Sequence, residues 1–430
     1  MADLTPQILP LLRAHRLPGL DLGSGFLYPA YQGRSILNIP ASICRWLGAS
    51  EIAGAPLDPA ILAALGSGEF QRVILIVMDA LALHRLQRWM ADGTAPVWGD
   101  LAQDGVLAPL TSIVPSTTSA ALTALWTGRS AAEHGVTGYE MWLKEYGVVA
   151  NTITLSPITY KNDSGSILKA GFDPNTALPF PTLGTHLAAH QVSTYAFQHR
   201  SIIYSGLSQM FFKGVAARGA STASDLWVNL RQLLESRSGE RQFIYVYWGE
   251  VDTLSHIYGP DDERSAAEFG SFSSAFERLF LSRLRATGRQ AGDTLVLLTA
   301  DHGAITTQPD PFYDLQNHPN LLRRLHILPT GENRLAYLYM RPGQSEAVRE
   351  YIERHWPGQF TLLDPAYAVD AGLFGPGTPH PGLLDRLGDL IALARGQGYW
   401  WWHAKENRLL GRHGGLHPEE MLVPLLAVRI

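Results

Sequence analysis

The sequence contains a single cysteine, Cys44, among its 430 residues. One cysteine excludes an internal disulfide framework and is typical of a protein from a reducing compartment. The first residues, Met1 to Thr5, lack the basic segment and the apolar core of a secretory signal. From these two observations we expect a cytoplasmic protein.

Long apolar runs and blocks of basic residues are also missing. No apolar segment reaches the roughly 20 residues that cross a bilayer, so no membrane span is predicted. The formal charge is −5, from 34 Lys and Arg against 39 Asp and Glu, and the positive charges are not clustered. This pattern argues against a nucleic-acid polymer as the main partner. It leaves a small nucleotide open as a substrate.

The sequence does have a series of apolar segments that alternate with helical ones. Hydrophobic residues make up 46% of the chain, which is enough for a sizeable core. Continuous apolar runs are expected for the central strands of a parallel sheet that is covered on both faces. The alternation predicts an α/β protein with a doubly wound, mostly parallel sheet and helices on both faces. The runs are Arg72–Ala80, Val106–Val114, Val192–Phe197, Gln242–Asp252 and Asp293–Gly303.

The balance of strand, proline and turn signals also suggests how the chain is organised. After Gly303 the sequence is richer in proline, which indicates a small α+β insertion. Gly388–Ala394 and Tyr399–Trp402 are predicted to be strands that return to the main body. We therefore predict three parts: an N-terminal extension packed on the core at 1–70, an α/β core at 71–303 and 386–430, and a cap insertion at 304–385.

An aspartate closes the apolar part of three of these runs: Asp79, Asp252 and Asp301. In open α/β sheets the carboxyl ends of the strands form the crevice that binds ligands. Three carboxylates gathered there repel one another strongly unless cations lie between them. His256 and His302 accompany two of them, and Asp and His together suit Zn²⁺, Mn²⁺ or related ions. Each residue alone is also typical of a helix cap, a buried histidine or a turn, but together they predict a metal site.

A hydroxyl-rich turn, Ser116-Thr-Thr-Ser119, lies between the second run and an Ala/Leu-rich segment that predicts a helix. Hydroxyl side chains favour helix starts because they satisfy unpaired backbone N–H groups. The same end of a helix attracts anions. Near a metal, one of these hydroxyls could act as a nucleophile toward phosphorus. The turn alone is more typical of a helix cap, and it leaves open which hydroxyl would react.

With these motifs in this order, the chain resembles the alkaline phosphatase superfamily, and within it the nucleotide pyrophosphatase/phosphodiesterase branch. The resemblance covers most of residues 70–430. The motifs that carry it are Val77–Ala80, Pro115–Gly128 followed by Glu133–Gly135, Asp252–His256 followed by Gly259 and Pro260, Asp301–Gly303, and the late pair His413 and Gly414.

The resemblance implies two divalent metal ions, usually zinc with manganese possible, and a threonine that becomes transiently phosphorylated. The register counted back from Thr127 and Gly128 places that threonine at Thr118 rather than Thr117. His417 is an alternative to His413 as the late ligand, and His134 is expected to be a structural corner. The implied ligands are Asp79, Asp301, His302 and Thr118 for one metal, and Asp252, His256 and His413 for the other.

The implied activity is two-metal-dependent hydrolysis of phosphodiester or pyrophosphate bonds in a small phosphate ester or nucleotide. Similar phosphodiesterases have an asparagine three residues after the nucleophile, as a donor to a phosphoryl oxygen, and Ala121 stands there in this chain. The substrate therefore stays open. A phosphomonoesterase, phosphonate hydrolase or phosphomutase of the same superfamily is the nearest alternative, and a non-catalytic metal- or nucleotide-binding protein is another. A sulfatase is disfavoured because its modified Cys or Ser nucleophile lies in a different motif. The sequence does not indicate an oligomeric state.

Overall fold

The computed structural model describes residues 2–66, 68–159, 163, 165–237, 239–286 and 292–430. None of the helices in these residues is long and apolar enough to cross a membrane. The strands of the described residues are β1 (Ala2–Asp3), β2 (Arg72–Met78), β3 (Val106–Thr111), β4 (Glu140–Leu143), β5 (Val148–Asn151), β6 (Ser156–Pro157), β7 (Ser193–His199), β8 (Ala216–Ala220), β9 (Gln242–Trp248), β10 (Thr294–Thr299), β11 (Ile305–Thr306), β12 (Thr330–Glu332), β13 (Leu335–Leu338), β14 (Phe360–Leu363), β15 (Leu390–Ala394), β16 (Gly411–Arg412) and β17 (Leu422–Arg429).

The helices connect these strands and cover the sheets. Short 3₁₀ segments occupy Ile36–Asn38, Lys144–Tyr146, Pro311–Tyr313 and Leu315–Asn317, and Phe276–Leu281 forms a π-helical segment. The α-helices of the described residues are α1 (Thr5–Ala14), α2 (Ile39–Trp46), α3 (Pro59–Leu65), α4 (Leu83–Ala91), α5 (Pro96–Asp104), α6 (Thr118–Thr127), α7 (Ala131–His134), α8 (Ser166–Lys169), α9 (Leu183–Ala189), α10 (Gly206–Phe211), α11 (Ala223–Ser236), α12 (Glu250–Tyr258), α13 (Glu263–Ala275), α14 (Ser282–Ala286), α15 (Pro319–Leu322), α16 (Ser345–His355), α17 (Pro365–Asp370), α18 (Leu383–Leu387) and α19 (Pro418–Met421).

The main sheet has eight strands in the order β1-β3-β17-β10-β2-β9-β7-β8. Only β17 is antiparallel to its neighbours, β3 and β10, whereas the other paired strands run parallel. The prediction of a mostly parallel α/β sheet is confirmed. In the centre, Val77 lies opposite Thr299 and Met78 lies opposite Trp248. The carboxyl ends of β10, β2 and β9 are therefore level, at one edge of the sheet.

Helices cover both faces of this sheet, as the side chains of β9 make clear. Successive side chains of a strand point to opposite faces. Trp126 of α6 packs edge-on against Phe243 and Tyr245, whereas Phe272 of α13 packs against Trp248, at the alternate parity. Every residue of β2, β9 and β10 is buried, which accounts for their continuous apolar sequences.

Residues 2–66 and 68–70 pack against this sheet and extend it. β1 pairs in parallel with β3 and forms an edge strand. Ile8, Leu12 and Ile43 are buried in the same apolar core as the central strands. This segment therefore belongs to the core of the main sheet rather than to a separate one.

A second sheet of seven antiparallel strands, in the order β14-β15-β13-β12-β4-β5-β6, lies beside the first. The strand β15 pairs with β13 and β14, so the prediction that Gly388–Ala394 returns to the main sheet was wrong. The prediction failed because β15 is buried throughout, and a continuous apolar run does not reveal which sheet receives it. Residues 140–157 also contribute three strands. The proposed boundaries of the three parts stay a prediction.

The tryptophan cluster Tyr399–Trp402 does not form a strand either. Only Trp401 makes an isolated bridge, with Asp314. Trp400 and Trp402 are buried in the apolar core of the second sheet, where Trp400 stacks on Phe360 with 4.2 Å between ring centroids. The cluster therefore serves packing, as its apolar sequence suggests.

Candidate active site and metal centre

The three aspartates of the sequence lie together at the carboxyl edge of the main sheet. Asp79 directly follows β2, Asp301 follows β10, and Asp252 lies in the first turn of α12, which follows β9. Ala80 then turns the chain toward α4 with a φ of +60°, an uncommon value for a residue other than glycine. Its backbone N–H donates to Asp301 Oδ1 at 3.3 Å. The turn after β2 thus holds Asp79 and Asp301 side by side.

Thr118 faces the first of two ligand clusters. Its Oγ1 lies 3.5 Å from Asp79 Oδ2 and 3.2 Å from His302 Nε2. His302 Nε2 is also 3.3 Å from Asp79 Oδ1 and 3.6 Å from Asp301 Oδ2. One ligand atom from each of Asp79, Asp301 and His302 falls within 4.8 Å of the others. This group matches the ligand set that the resemblance implies for one metal.

The second cluster is built around the carboxylate of Asp252. His256 Nε2 lies 3.2 Å from Asp252 Oδ2, and His413 Nε2 lies 3.8 Å from Asp252 Oδ1. The segment is helical, so these two residues of α12 share one face as expected. His413 stacks on His302 with 3.8 Å between ring centroids, and Asp252, His302 and His413 form a second group within 4.8 Å. His302 therefore lies between the two clusters.

All three histidines turn the same ring nitrogen toward the clusters. The Nδ1 atom of each is within hydrogen-bond distance of a backbone carbonyl: Gly303 O at 2.9 Å for His302, Gly411 O at 2.8 Å for His256, and Ser116 O at 3.1 Å for His413. A proton on Nδ1 leaves the lone pair of Nε2 free. Such a backbone partner is what a metal-binding histidine needs to fix its tautomer and ring orientation.

The electrostatics of the site favour cations. Burial raises the pKa of Asp79 well above its usual range, and the nearby Asp301 and Asp252 raise it further. Burial also raises the pKa of Asp301. Burial opposes ionisation of Asp252 as well, but His256 and His413 hold its pKa below the usual value. Burial acts to lower the pKa of His256, yet Asp252 raises it to about 9. The carboxylates thus need positive partners to ionise together.

Unpartnered oxygens mark where cations fit. Among the described residues, Asp79 Oδ1, Asp252 Oδ1 and Asp301 Oδ2 are buried and accept no hydrogen bond. A buried carboxylate oxygen without a partner is costly, and a metal ion supplies that partner. Carboxylate and imidazole ligands in these numbers suit zinc or a related divalent ion. The residues therefore fit the two metal ions that the resemblance implies.

The hydroxyls of Thr117 and Thr118 have different surroundings. Thr117 is the N-cap residue of α6, but its side chain makes no cap and instead donates to Glu332 Oε1 at 2.6 Å. Thr118 begins the helix, and its hydroxyl faces the Asp79 cluster. The first turn of α6 is thus left without a side-chain cap, beside the metal ligands. This is an arrangement in which backbone N–H groups attract an anion.

His417, the alternative late ligand, lies outside the two clusters, as do His134 and Ala121. His417 is the N-cap of α19, and its Nδ1 accepts from the backbone N–H of Glu419 at 3.3 Å. His134 is buried, and its Nδ1 accepts from the backbone N–H of Val136 at 3.0 Å, which makes it the expected structural corner. Ala121 is fully buried in the second turn of α6.

Gly303 is required by a close contact between two backbone segments. Gly303 does not adopt a left-handed conformation. An added Cβ would lie 2.0 Å from the backbone oxygen of Glu419, in α19. The residue after His302 must therefore be glycine because the backbone of α19 passes against it.

Several charged or polar residues that support the site were not found from the sequence. The Tyr247 hydroxyl donates to Asp79 Oδ2, which leaves Oδ1 for a metal. Tyr247 lies next to the carboxyl end of β9, five residues before Asp252. This position could have indicated from the sequence that Tyr247 supports the site. The guanidinium of Arg85 is buried and joins Asp261, Glu419 and the backbone oxygen of Ala304. No sequence signal announces that contact.

Comparison with known proteins places these observations in context. Residues 73–416 match the model of the family described as type I phosphodiesterase / nucleotide pyrophosphatase. The chain has no detectable sequence relative among curated proteins.

Three solved structures show the same fold at low sequence identity. An inactive threonine-to-alanine variant of murine ectonucleotide pyrophosphatase / phosphodiesterase 5 in complex with AMP is 14% identical, with a TM-score of 0.60 over 82% of this chain and 87% of that chain. The human protein of that name is 14% identical, with a TM-score of 0.61 over 82% and 87%. Phosphonoacetate hydrolase from Sinorhizobium meliloti 1021 in complex with phosphonoformate is 15% identical, with a TM-score of 0.59 over 82% and 89%.

Proposed function

Because the chain belongs to the type I phosphodiesterase / nucleotide pyrophosphatase family, we propose that it hydrolyses phosphodiester or pyrophosphate bonds of small phosphate esters or nucleotides. The nucleophile of this proposal is Thr118. The observation that carries the proposal is the position of the Thr118 hydroxyl, at the start of α6 and within 3.5 Å of both Asp79 and His302. The inactivity of the threonine-to-alanine murine variant, which binds AMP, supports it.

The family is metal-dependent, and we propose two divalent ions, zinc in the first place and manganese as the alternative. One would be held by Asp79, Asp301, His302 and Thr118. The other would be held by Asp252, His256 and His413. When bound, such ions would acidify the Thr118 hydroxyl and a water molecule, and would neutralise charge on the phosphoryl oxygens.

The chain's own residues then account for positioning. The uncapped first turn of α6 offers backbone N–H groups to the phosphoryl oxygens, beside the nucleophile. Thr118 gives its hydroxyl proton to solvent, Oγ1 attacks phosphorus and forms a bond to it, and the ester bond on the opposite side breaks. The leaving oxygen takes a proton from solvent, and the phosphoryl group stays on Thr118. Phosphoryl transfer asks mainly for positioning and charge neutralisation, so no separate general base is required.

The second step restores the enzyme. A water oxygen attacks the phosphorus of phospho-Thr118 from the vacated side, and the bond between phosphorus and Oγ1 breaks. Thr118 recovers the proton that the water gives up. The Nδ1 contacts of the three histidines hold their rings in place throughout, because each partner is a backbone oxygen.

Paired threonine variants test the nucleophile. Thr118→Ala is expected to bind two metal ions per chain, measured by elemental analysis, and to lose at least about 10³-fold in kcat. Thr117→Ala loses only the hydrogen bond to Glu332 and is expected to keep most of its activity. Near-normal turnover by Thr118→Ala, together with loss in Thr117→Ala, would contradict the assignment.

A phosphonate or monoester hydrolase is the second candidate. The fold of phosphonoacetate hydrolase resembles this fold about as closely as that of the murine phosphodiesterase does, with TM-scores of 0.59 and 0.60. Ala121, in place of the expected asparagine, leaves the substrate open. Initial rates on bis(p-nitrophenyl) phosphate, p-nitrophenyl phosphate and phosphonoacetate, each with added Zn²⁺ or Mn²⁺, separate the candidates. We expect the diester to be preferred.

Two further proposals complete this account. We propose catalysis rather than metal or nucleotide binding alone, since all seven expected ligands are present and the nucleophile Thr118 is one of them. Hydrolysis abolished by a chelator and restored by metal would support catalysis, and metal binding without any hydrolysis would contradict it. A cytoplasmic location, inferred from the single cysteine, is a proposal that subcellular fractionation can test.

A further inference from the structure

Glu332 brings a carboxylate from the second sheet into the turn that carries the proposed nucleophile. It is the last residue of β12. Its Oε1 accepts from Thr117 Oγ1 at 2.6 Å and from the backbone N–H of Tyr139 at 2.7 Å. Thr117 directly precedes Thr118, so this contact ties the second sheet to the start of α6.

The side chain of Glu332 is confined on its other side by the loop that carries His413. A Cβ added to Gly414 would lie 2.4 Å from Glu332 Cβ and 2.6 Å from Cγ. Gly414 also has a φ of +108°, which favours glycine. Glu332 therefore lies between the nucleophile turn and one of the late metal ligands, in a gap that only a glycine leaves open.

Within the part of the chain that the structure describes, no lysine or arginine forms an ion pair with the Glu332 carboxylate. Its charged neighbours are Glu140 and His256, a proposed metal ligand. Thr117 and Thr118 are neighbours in the chain, and consecutive Cα atoms lie 3.8 Å apart. A carboxylate that is hydrogen-bonded to the Thr117 side chain therefore lies within roughly 10 Å of the Thr118 hydroxyl. At an effective dielectric constant near 20, one further negative charge at that distance is disfavoured about tenfold.

We propose that Glu332 is a specificity-determining residue that selects monoanionic phosphodiesters over dianionic phosphate monoesters and carboxylated phosphonates. This inference rests on the proposed function of the site. The metal ions attract every phosphate ester, whereas Glu332 repels the extra charge of a monoester or a carboxylated phosphonate. The substrate class is thus a diester whose groups near phosphorus are uncharged.

Equilibrium binding to the metal-loaded Thr118→Ala protein tests the inference without turnover. The probes are methyl p-nitrophenyl phosphate, a monoanion, and p-nitrophenyl phosphate, a dianion well above pH 6. At pH 8.5 Glu332 is ionised, because burial raises its pKa only to about 7. Isothermal titration calorimetry of both probes gives the ratio of diester to monoester affinity.

The informative variant adds Glu332→Gln to this background. Both hydrogen bonds to Glu332 reach the same oxygen, Oε1, so a glutamine can keep them while it removes the charge. We expect the diester-to-monoester ratio to fall about tenfold. Glu346→Gln, which removes an exposed carboxylate from α16, is the matched control and should leave the ratio unchanged. If Glu332→Gln does not fold, Glu332→Ala is expected to lower the ratio in the same direction.

The outcomes separate this inference from the proposed function. If both probes bind and the ratio changes by less than twofold in Glu332→Gln and Glu332→Ala, the selectivity role is overturned and the proposed function stands. If neither probe binds the metal-loaded Thr118→Ala protein, the proposed function fails, and the inference fails with it. A fall in the ratio caused by weaker diester binding alone would also overturn it.

Discussion

The buried ion pair between Arg334 and Glu420 is predicted to stabilise the loop that follows His413, and substitutions of the two residues can test this. Both side chains are 0% exposed, and the guanidinium binds the carboxylate in a two-pronged contact, with Nε to Oε1 at 2.8 Å and Nη2 to Oε2 at 3.0 Å. Glu420 also accepts from the backbone N–H groups of Gly415 and His417. The pair thus links the second sheet to the loop that follows His413.

We expect Arg334→Met to cost about 3–5 kcal/mol of unfolding free energy, because it leaves the Glu420 carboxylate buried without its partner. Adding Glu420→Gln removes that charge and keeps one acceptor oxygen, which can serve Gly415 or His417 but not both, because their N–H groups donate to different oxygens of Glu420. The double variant should therefore recover roughly 1–3 kcal/mol relative to Arg334→Met. This recovery is the signature of a stranded charge rather than of lost packing.

Arg85 provides the matched comparison, since the same substitution leaves different partners behind. Arg85 is buried, but its partners Asp261 and Glu419 have side chains that are 47% and 40% exposed. Water can solvate them when the guanidinium is gone. Arg85→Met should therefore cost less than Arg334→Met, on the order of 2 kcal/mol.

Urea unfolding of the metal-free protein, followed by far-UV circular dichroism, measures these differences. The reasoning is refuted if Arg334→Met lies within about 1 kcal/mol of the parent protein, below the cost expected for a stranded charge. It is also refuted if Arg85→Met is the more destabilising of the two. Near-ultraviolet circular dichroism at low urea checks that each variant starts from the folded state.

Three further predictions concern Gly414 and His256. Gly414→Ala should destabilise by more than 2 kcal/mol in the same urea assay, because its Cβ would meet Glu332; Gly343→Ala, at a φ of +74° with open space around it, should cost only about 1 kcal/mol. The ion pair with Asp252 raises the pKa of His256 from 6.5 to about 9. The metal-free protein should therefore lose roughly 3 kcal/mol of stability as the pH rises from 6.5 to 9. This part of the pH dependence should be absent from His256→Gln. Protons compete for the same nitrogen, so metal affinity measured by competition with a chromogenic chelator should rise over this pH range in the parent protein and less in His256→Gln.

Much of the main sheet is predictable from the sequence because its signals are local. Continuous apolar runs mark strands that are buried on both faces; Asp79 follows one of them directly, and Asp301 follows another after a single residue. The carboxyl ends of parallel neighbours must meet at one edge, so the gathering of the aspartates follows from topology. The helical spacing of Asp252 and His256 is likewise a short-range property.

The second sheet and the support of the site depend on pairings that are distant in sequence. The apolar sequence of β15 is compatible with either sheet, and only its pairing with β13 and β14 determines which sheet it joins. The contact of Thr117 with Glu332 spans 215 residues, and that of Arg334 with Glu420 spans 86. In the sequence, a charged residue that makes such a long-range contact looks the same as one that is exposed to solvent. The close approach that requires Gly303 is hidden for the same reason.

The most direct test of the central claim is a crystal structure of the metal-loaded protein with anomalous scattering collected at the zinc edge. The account predicts two ions roughly 3.5–4 Å apart. One should contact Asp79, Asp301, His302 and Thr118 Oγ1, and the other should contact Asp252, His256 and His413. A single ion, or ions bound away from the Thr118 hydroxyl, would contradict the account.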